Sequence, residues 1–208
     1  MKNISVFIFI LTLSFLSQAQ DFKGGVILGL STSQLSGDHL EGFNKAGLIL
    51  GGFTSRTFSD KISGKMELIY IQKGSKNPDL DTYNNEILHE YYLDYIEIPL
   101  IVEYKVQEKT AIETGLQLGV LISSKEKDPY YGTEISHWRS FNKTDFSICF
   151  GLIYDLTPNW SLNSRYSNTI LFTPVRPHQA SQESGYKKWY NKGQYNSILS
   201  FTLQYTFK

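Results

Sequence analysis

The chain has 208 residues, and its 20 lysines and arginines balance 20 aspartates and glutamates, so no net charge draws it to nucleic acid. A single cysteine, Cys149, excludes a disulfide within the chain. Aromatic residues make up 14% of the sequence, with 14 Tyr and 13 Phe, which suits a β protein or one with aromatics at a membrane boundary.

The first predicted element is a targeting segment. In "MKNISVFIFILTLSFLSQAQ", Lys2 precedes an apolar run from Ile4 to Leu16, and the small residues Ser17 and Ala19 precede Gln20. This is the order of a secretory signal peptide cleaved after Ala19. The run is shorter than the roughly 20 residues that a spanning helix needs. Gln20, not a cysteine, stands immediately after the cleavage point, so a lipoprotein anchor is not expected. The expected division is a signal peptide over residues 1–19 and one mature domain over residues 20–208.

Eight strand-like segments follow, near Phe22–Thr32, Lys45–Phe58, Ile62–Lys73, Tyr91–Val106, Thr110–Ile122, Thr144–Leu156, Trp160–Phe172 and Gln194–Phe207. In the second, "KAGLILGGFTSRTF", Gly51 and Gly52 leave room for a bulge that would switch the face of Phe53. Without a bulge Arg56 faces outward, one pair from a turn, where a charge costs about 0–1 kcal/mol. The fourth places Ile96, Ile98, Leu100, Val102 and Tyr104 opposite Tyr95, Glu97, Pro99, Ile101 and Glu103. In the fifth, Ile112, Leu116, Leu118 and Val120 oppose Glu113, Gln117 and two glycines, and in the sixth Phe146, Ile148, Phe150 and Leu152 oppose Asp145, Ser147 and Cys149. The last, "NSILSFTLQYTFK", alternates most strictly. One face is apolar throughout; the other carries carboxylates, amides and glycines.

Connections alternate in length. Ser59–Lys61, Gln107–Lys109 and Thr157–Asn159 are tight, whereas Ser33–Asn44, Gly74–Glu90, Ser123–Lys143 and Thr173–Gly193 are long. An even strand number with short turns at one end and long loops at the other describes an outer-membrane barrel. Aromatics near both strand ends, such as Phe22, Phe58, Trp160 and Phe207 at one and Tyr70, Tyr92 and Phe172 at the other, predict two girdles. The predicted fold is all-β: an eight-stranded antiparallel up-and-down transmembrane β-barrel with short periplasmic turns and long extracellular loops. The soluble alternative, a lipocalin-like barrel, would turn its apolar face inward.

The pieces "FKGGVILGLSTSQLSGD", "MELIYIQKGSK", "LDYIEIPLIVEYKV", "IETGLQLGVLIS", "DFSICFGLIYDL" and "SLNSRYSNTI" resemble the PorT-like outer-membrane β-barrel family of Bacteroidetes, within the wider group of small barrels that includes OmpX and the OmpA membrane domain. The resemblance implies residence in a Gram-negative outer membrane. It implies little chemistry, since PorT itself is associated with a secretion system but its label covers barrels of many roles.

The inward parity gathers Lys65, Glu67, Glu97, Glu103, Glu113, Asp145 and Arg165. An eight-stranded barrel is just wide enough to be filled by its own side chains, so these charges are expected to form a structural lumen network rather than an ion path. A glycosidase reading needs an open cleft between paired carboxyls, which a filled lumen lacks. His39, His89, His137 and His178 all fall in long loops, with no second ligand at metal-binding spacing. "SGDH" at Ser36–His39 lacks a nucleophile elbow. No catalytic, cofactor or metal residue is therefore expected.

The loops "KEKDPYYGTEISHWRSFNK" and "RPHQASQESGYKKWYNKGQY" mix Tyr, Trp, Lys and Arg, which suits recognition of protein, glycan or lipopolysaccharide headgroups as well as packing at the rim. The expected role is envelope-structural, interaction or secretion-accessory, without catalysis; a small porin and a lipid-modifying enzyme are the alternatives. Expected partners are outer-membrane lipid or lipopolysaccharide and a protein met through the extracellular loops, with no nucleic acid, and the barrel is expected to be monomeric.

Overall fold

The structure, a computed structural model, describes residues 22–37, 42–76, 90–127, 140–170, 173–177 and 193–207. The predicted signal peptide lies outside them. Eight long antiparallel strands close on themselves: β1 (Phe22–Ser36), β2 (Lys45–Thr57), β3 (Ile62–Ser75), β4 (Glu90–Gln107), β5 (Thr110–Lys127), β6 (Thr144–Asp155), β7 (Trp160–Thr169) and β9 (Gly193–Thr206). The two-residue β8 (Arg176–Pro177) adds a short lip on the start of β9. Each long strand pairs with the next, and β1 pairs with β9 from Gly25↔Thr206 to Ser36↔Tyr195, so the barrel has no open edge. Among the described residues every regular element is a strand.

The turns close as their sequences suggest. Phe58 N donates to Ile62 O at 2.9 Å between β2 and β3, and Thr157 Oγ1 accepts from Trp160 N at 3.0 Å between β6 and β7. Several strands run further toward the long-loop end than the sequence predicts, β1 to Ser36 and β5 to Lys127, while β7 ends at Thr169 rather than Phe172.

Side chains sort by parity. Leu28, Leu30, Leu68, Leu100, Leu116, Phe150 and Phe201 stand outward and are all more than half exposed, an arrangement stable only against lipid. At the short-turn end Trp160 and Tyr205 rings meet at 4.8 Å and Tyr205 and Phe207 at 5.8 Å. Toward the other end Tyr70 OH accepts from Gln72 Nε2 at 3.1 Å and Tyr166 OH from Asn168 Nδ2 at 3.3 Å, marking the second boundary. Phe172 lies outside the described residues.

No bulge forms at Gly51 and Gly52. The β1–β2 register runs unbroken from Phe22↔Arg56 to Ser33↔Lys45, so Phe53 faces inward. Gly25 makes this possible, because a Cβ there would collide with the Phe53 ring. Arg56 consequently faces outward, held between the rings of Phe22 at 5.8 Å and Phe58 at 5.7 Å. The register shifts elsewhere: Asp94 pairs with Ser123 but Tyr95 with Leu121, leaving Ile122 unmatched, and a second shift lies between Lys105 and Gln107.

The interior is less polar than the parity pattern alone suggests. Ile27, Ile49, Ile69, Ile71 and Ile198 form a buried apolar layer, and Leu35, Leu93, Tyr91, Phe141 and Val175 continue the same cluster toward the long-loop end.

Candidate functional site: the charged lumen

All seven predicted lumen residues are brought inside the barrel, and they divide into two groups. In the larger, Arg165 on β7 reaches across the barrel to β3 and β5. Its Nη1 and Nη2 donate to Glu67 Oε2 and Oε1 at 2.7 and 2.8 Å, while Nε and Nη2 donate to Glu113 Oε1 and Oε2 at 2.5 and 3.2 Å. The planar guanidinium thus forks onto two carboxylates at once, a geometry that only arginine provides. Lys65 completes the group, with Nζ 2.7 Å from Glu103, 3.4 Å from Glu67 and 3.6 Å from Glu113. It also donates to Gln204 Oε1 at 3.2 Å. Glu103 accepts from Ser63 Oγ at 3.2 Å and is the most open member, its side chain 17% exposed.

Asp145 and Glu97 belong to the second group, organised by Lys73, which the sequence reading did not single out. Lys73 is fully buried, with Nζ 2.5 Å from Glu97 Oε1 and 3.1 Å from Asp145 Oδ2. Asp145 also accepts from Ser147 Oγ at 3.1 Å, Thr169 Oγ1 at 2.8 Å and Asn196 Nδ2 at 2.8 Å. That is the dense solvation a buried carboxylate requires. Lys73 shares the parity of Lys65 and Glu67, so continuing the period-two count along β3 finds it.

A further ion pair, Arg176 Nη2 to Glu126 Oε2 at 3.3 Å, lies near the long-loop end, with the guanidinium 5.5 Å from the Tyr91 ring and 4.9 Å from the Phe141 ring. Strict alternation would put Glu126 on the face of Ile122, outward. The register shift at Ile122 turns it in, and no parity count finds it.

Little space remains. Between the two charged groups is a cavity of about 10 Å³, touching Glu67, Glu97, Gln117 and Arg165, the room of one water. Toward the short turns the lumen widens into a polar vestibule of about 500 Å³ that reaches Lys65, Glu103 and Asp155. Among the described residues no group of three or more His, Cys, Asp or Glu could hold a metal ion. The four loop histidines lie outside the described residues. Cys149 is buried on the inner face of β6.

The chain is similar to solved outer-membrane proteins of low sequence identity. Ail, the attachment invasion locus protein of Yersinia pestis, matches with a TM-score of 0.50 at 13% identity, over 89% of this chain and 98% of that one. Neisserial surface protein A matches with a TM-score of 0.49 at 15% identity, over 89% and 97%. A major outer membrane protein of Thermus thermophilus matches with a TM-score of 0.48 at 14% identity, over 90% and 100%. No curated protein matches the sequence. The outer membrane protein beta-barrel domain family matches residues 18–169, from before the first strand to the end of β7. A closed wall of strands with lipid-facing leucines fits that description, and the chain belongs to this family of outer-membrane barrels.

Proposed function

We propose that the barrel is a closed, non-catalytic envelope protein whose role, structural, interactive or secretion-accessory, is carried by its extracellular loops and exterior. The observation that carries this reading is the filled lumen: two ion-pair groups and an isoleucine layer leave a cavity of about 10 Å³ between the groups. A lumen so plugged offers no through path for hydrated ions, the vestibule of about 500 Å³ being confined to the short-turn end. Each of the five predicted carboxylates is held by a lysine or arginine, which suits a scaffold better than acid–base chemistry.

The resemblance to PorT-like barrels supports a secretion-accessory role as one form of this function. Conductance is the direct test. Purified protein in planar bilayers is expected to show no steady current, and large stable channels would establish a porin instead. Replacing the segments 128–139 and 178–192 with short linkers is expected to leave the barrel folded, because loop length changes closure entropy only slowly, while abolishing surface binding. Secretion defects that appear only on deleting the whole barrel would select the accessory role. A change in lipid acylation by the purified barrel, lost in His39→Ala or His137→Ala, would overturn the non-catalytic reading.

A further inference from the structure

Each of the two lumen groups holds one carboxylate more than it has cations. Arg165 and Lys65 face Glu67, Glu103 and Glu113, whereas Lys73 faces Glu97 and Asp145. In the larger group the surplus charge has a solvated outlet, since Glu103 is 17% exposed and borders the polar vestibule. The smaller group has none. The side chains of Lys73 and Asp145 are fully buried and that of Glu97 is 2% exposed. Leu35, Leu93 and Val175, also fully buried, close the lumen toward the long-loop end. Two charged carboxylates sharing one ammonium out of water are strongly disfavoured, and uptake of a proton relieves them.

The hydrogen-bond donors decide which carboxyl takes it. Asp145 accepts from Lys73 Nζ, Ser147 Oγ, Thr169 Oγ1 and Asn196 Nδ2, four bonds that favour the ionised form. Glu97 is paired, among the described residues, with Lys73 alone. Next to it Gln117 Oε1 is buried without a donor and lines the same cavity of about 10 Å³. A carboxylate and an amide oxygen are both acceptors and leave each other unsatisfied; a carboxylic acid supplies the missing donor. The other groups around the cavity do not alter this balance. Glu67 is held by the Arg165 fork, Tyr95 sets its ring 4.8 Å from Lys73 Nζ, and β1 and β2 contribute Ile27 and Ile49.

We infer that Glu97 is a proton-binding site: at neutral pH the folded barrel holds a proton on this carboxyl, whose O–H points to Gln117 Oε1 directly or through one water. The proton comes from bulk water as the lumen closes, and Asp145 keeps the charge that balances Lys73. The inference rests on the burial of the lumen and not on the loop-borne role proposed above.

Infrared spectroscopy of the folded barrel at pH 7, in a detergent without ester groups, tests it through the carbonyl stretch of a neutral carboxylic acid, which carboxylates lack. The wild type is expected to show this band and Glu97→Gln to lose it. Asp145→Asn is expected to lose it as well although Glu97 is still present, because the ammonium is then left to Glu97 alone, which ionises. Glu103→Gln, at the vestibule, is expected to keep it. Folding of each variant is checked by its heat-dependent gel mobility. A band absent from the wild type, kept by Glu97→Gln or kept by Asp145→Asn would overturn the inference.

Discussion

Arg165 is the residue on which the lumen depends most. Replacing it with alanine leaves Glu67 and Glu113 charged beside Lys65 alone, and breaking one side of a buried pair costs about 3–5 kcal/mol. Arg165→Ala is therefore expected to lower the urea midpoint of the folded barrel in detergent, followed by its heat-dependent gel mobility. Arg165→Lys should recover little, since an ammonium cannot fork onto two carboxylates. Lys73→Ala should be equally damaging, by stranding Glu97 and Asp145 at the other group. A combined substitution that neutralises the partners, Lys73→Met with Asp145→Asn and Glu97→Gln, should recover much of that loss, because the penalty belongs to uncompensated charge rather than to the missing contact. If the triple variant is as unstable as the single one, the packing of Lys73, not its charge, is what matters.

At the scale of the strand, the outward face sets a depth-dependent rule. Arg56 is accommodated near the turn between two phenylalanine rings, but an arginine in place of Leu28, among leucines in mid-wall, is expected to cost about 2–4 kcal/mol. Refolding titrations of Leu28→Arg and Thr54→Arg in lipid vesicles should separate the two depths, and equal costs would contradict the assigned membrane position. Deleting Ile122 tests the register shift in β5: with the unmatched residue gone, unbroken alternation from Leu121 keeps Glu126 inward opposite Tyr91, so its pair with Arg176 is expected to survive. The eight strands and their short turns were legible in the sequence because each strand separates two media. The facing of the second strand was not, since nothing in "LGGF" reveals that Gly25, on a different strand, leaves room for the Phe53 ring. Nor was Glu126, because a register shift is set by how two strands meet. Lys73 was within reach of the parity count, but beside Gly74 at a strand end. The isoleucine layer was hidden differently: around Leu68 to Ile71 both faces of β3 are apolar, and hydropathy cannot say which faces lipid.

For the whole molecule, a closed wall with a filled interior is expected to remain folded in cold sodium dodecyl sulfate and to shift mobility only on boiling. Membranes washed with carbonate should keep it. Release into the soluble fraction without a mobility shift would contradict the lipid-facing exterior.

Arg165 and its partners also constrain the order of assembly. Glu113 and Glu67 lie 52 and 98 residues before it in the chain, on strands β5 and β3, so neither bond can form inside one hairpin. Lys73 likewise waits for Asp145, 72 residues later. Until β7 arrives, Glu67 and Glu113 have only Lys65 and water to satisfy them, and hydrocarbon would exact a large penalty for each. The nascent wall must therefore enter the bilayer around a hydrated interior, and drying of that interior belongs to the final closure, when β9 meets β1. Assembly is then slow and all-or-none near its end, and its committed step is the expulsion of water.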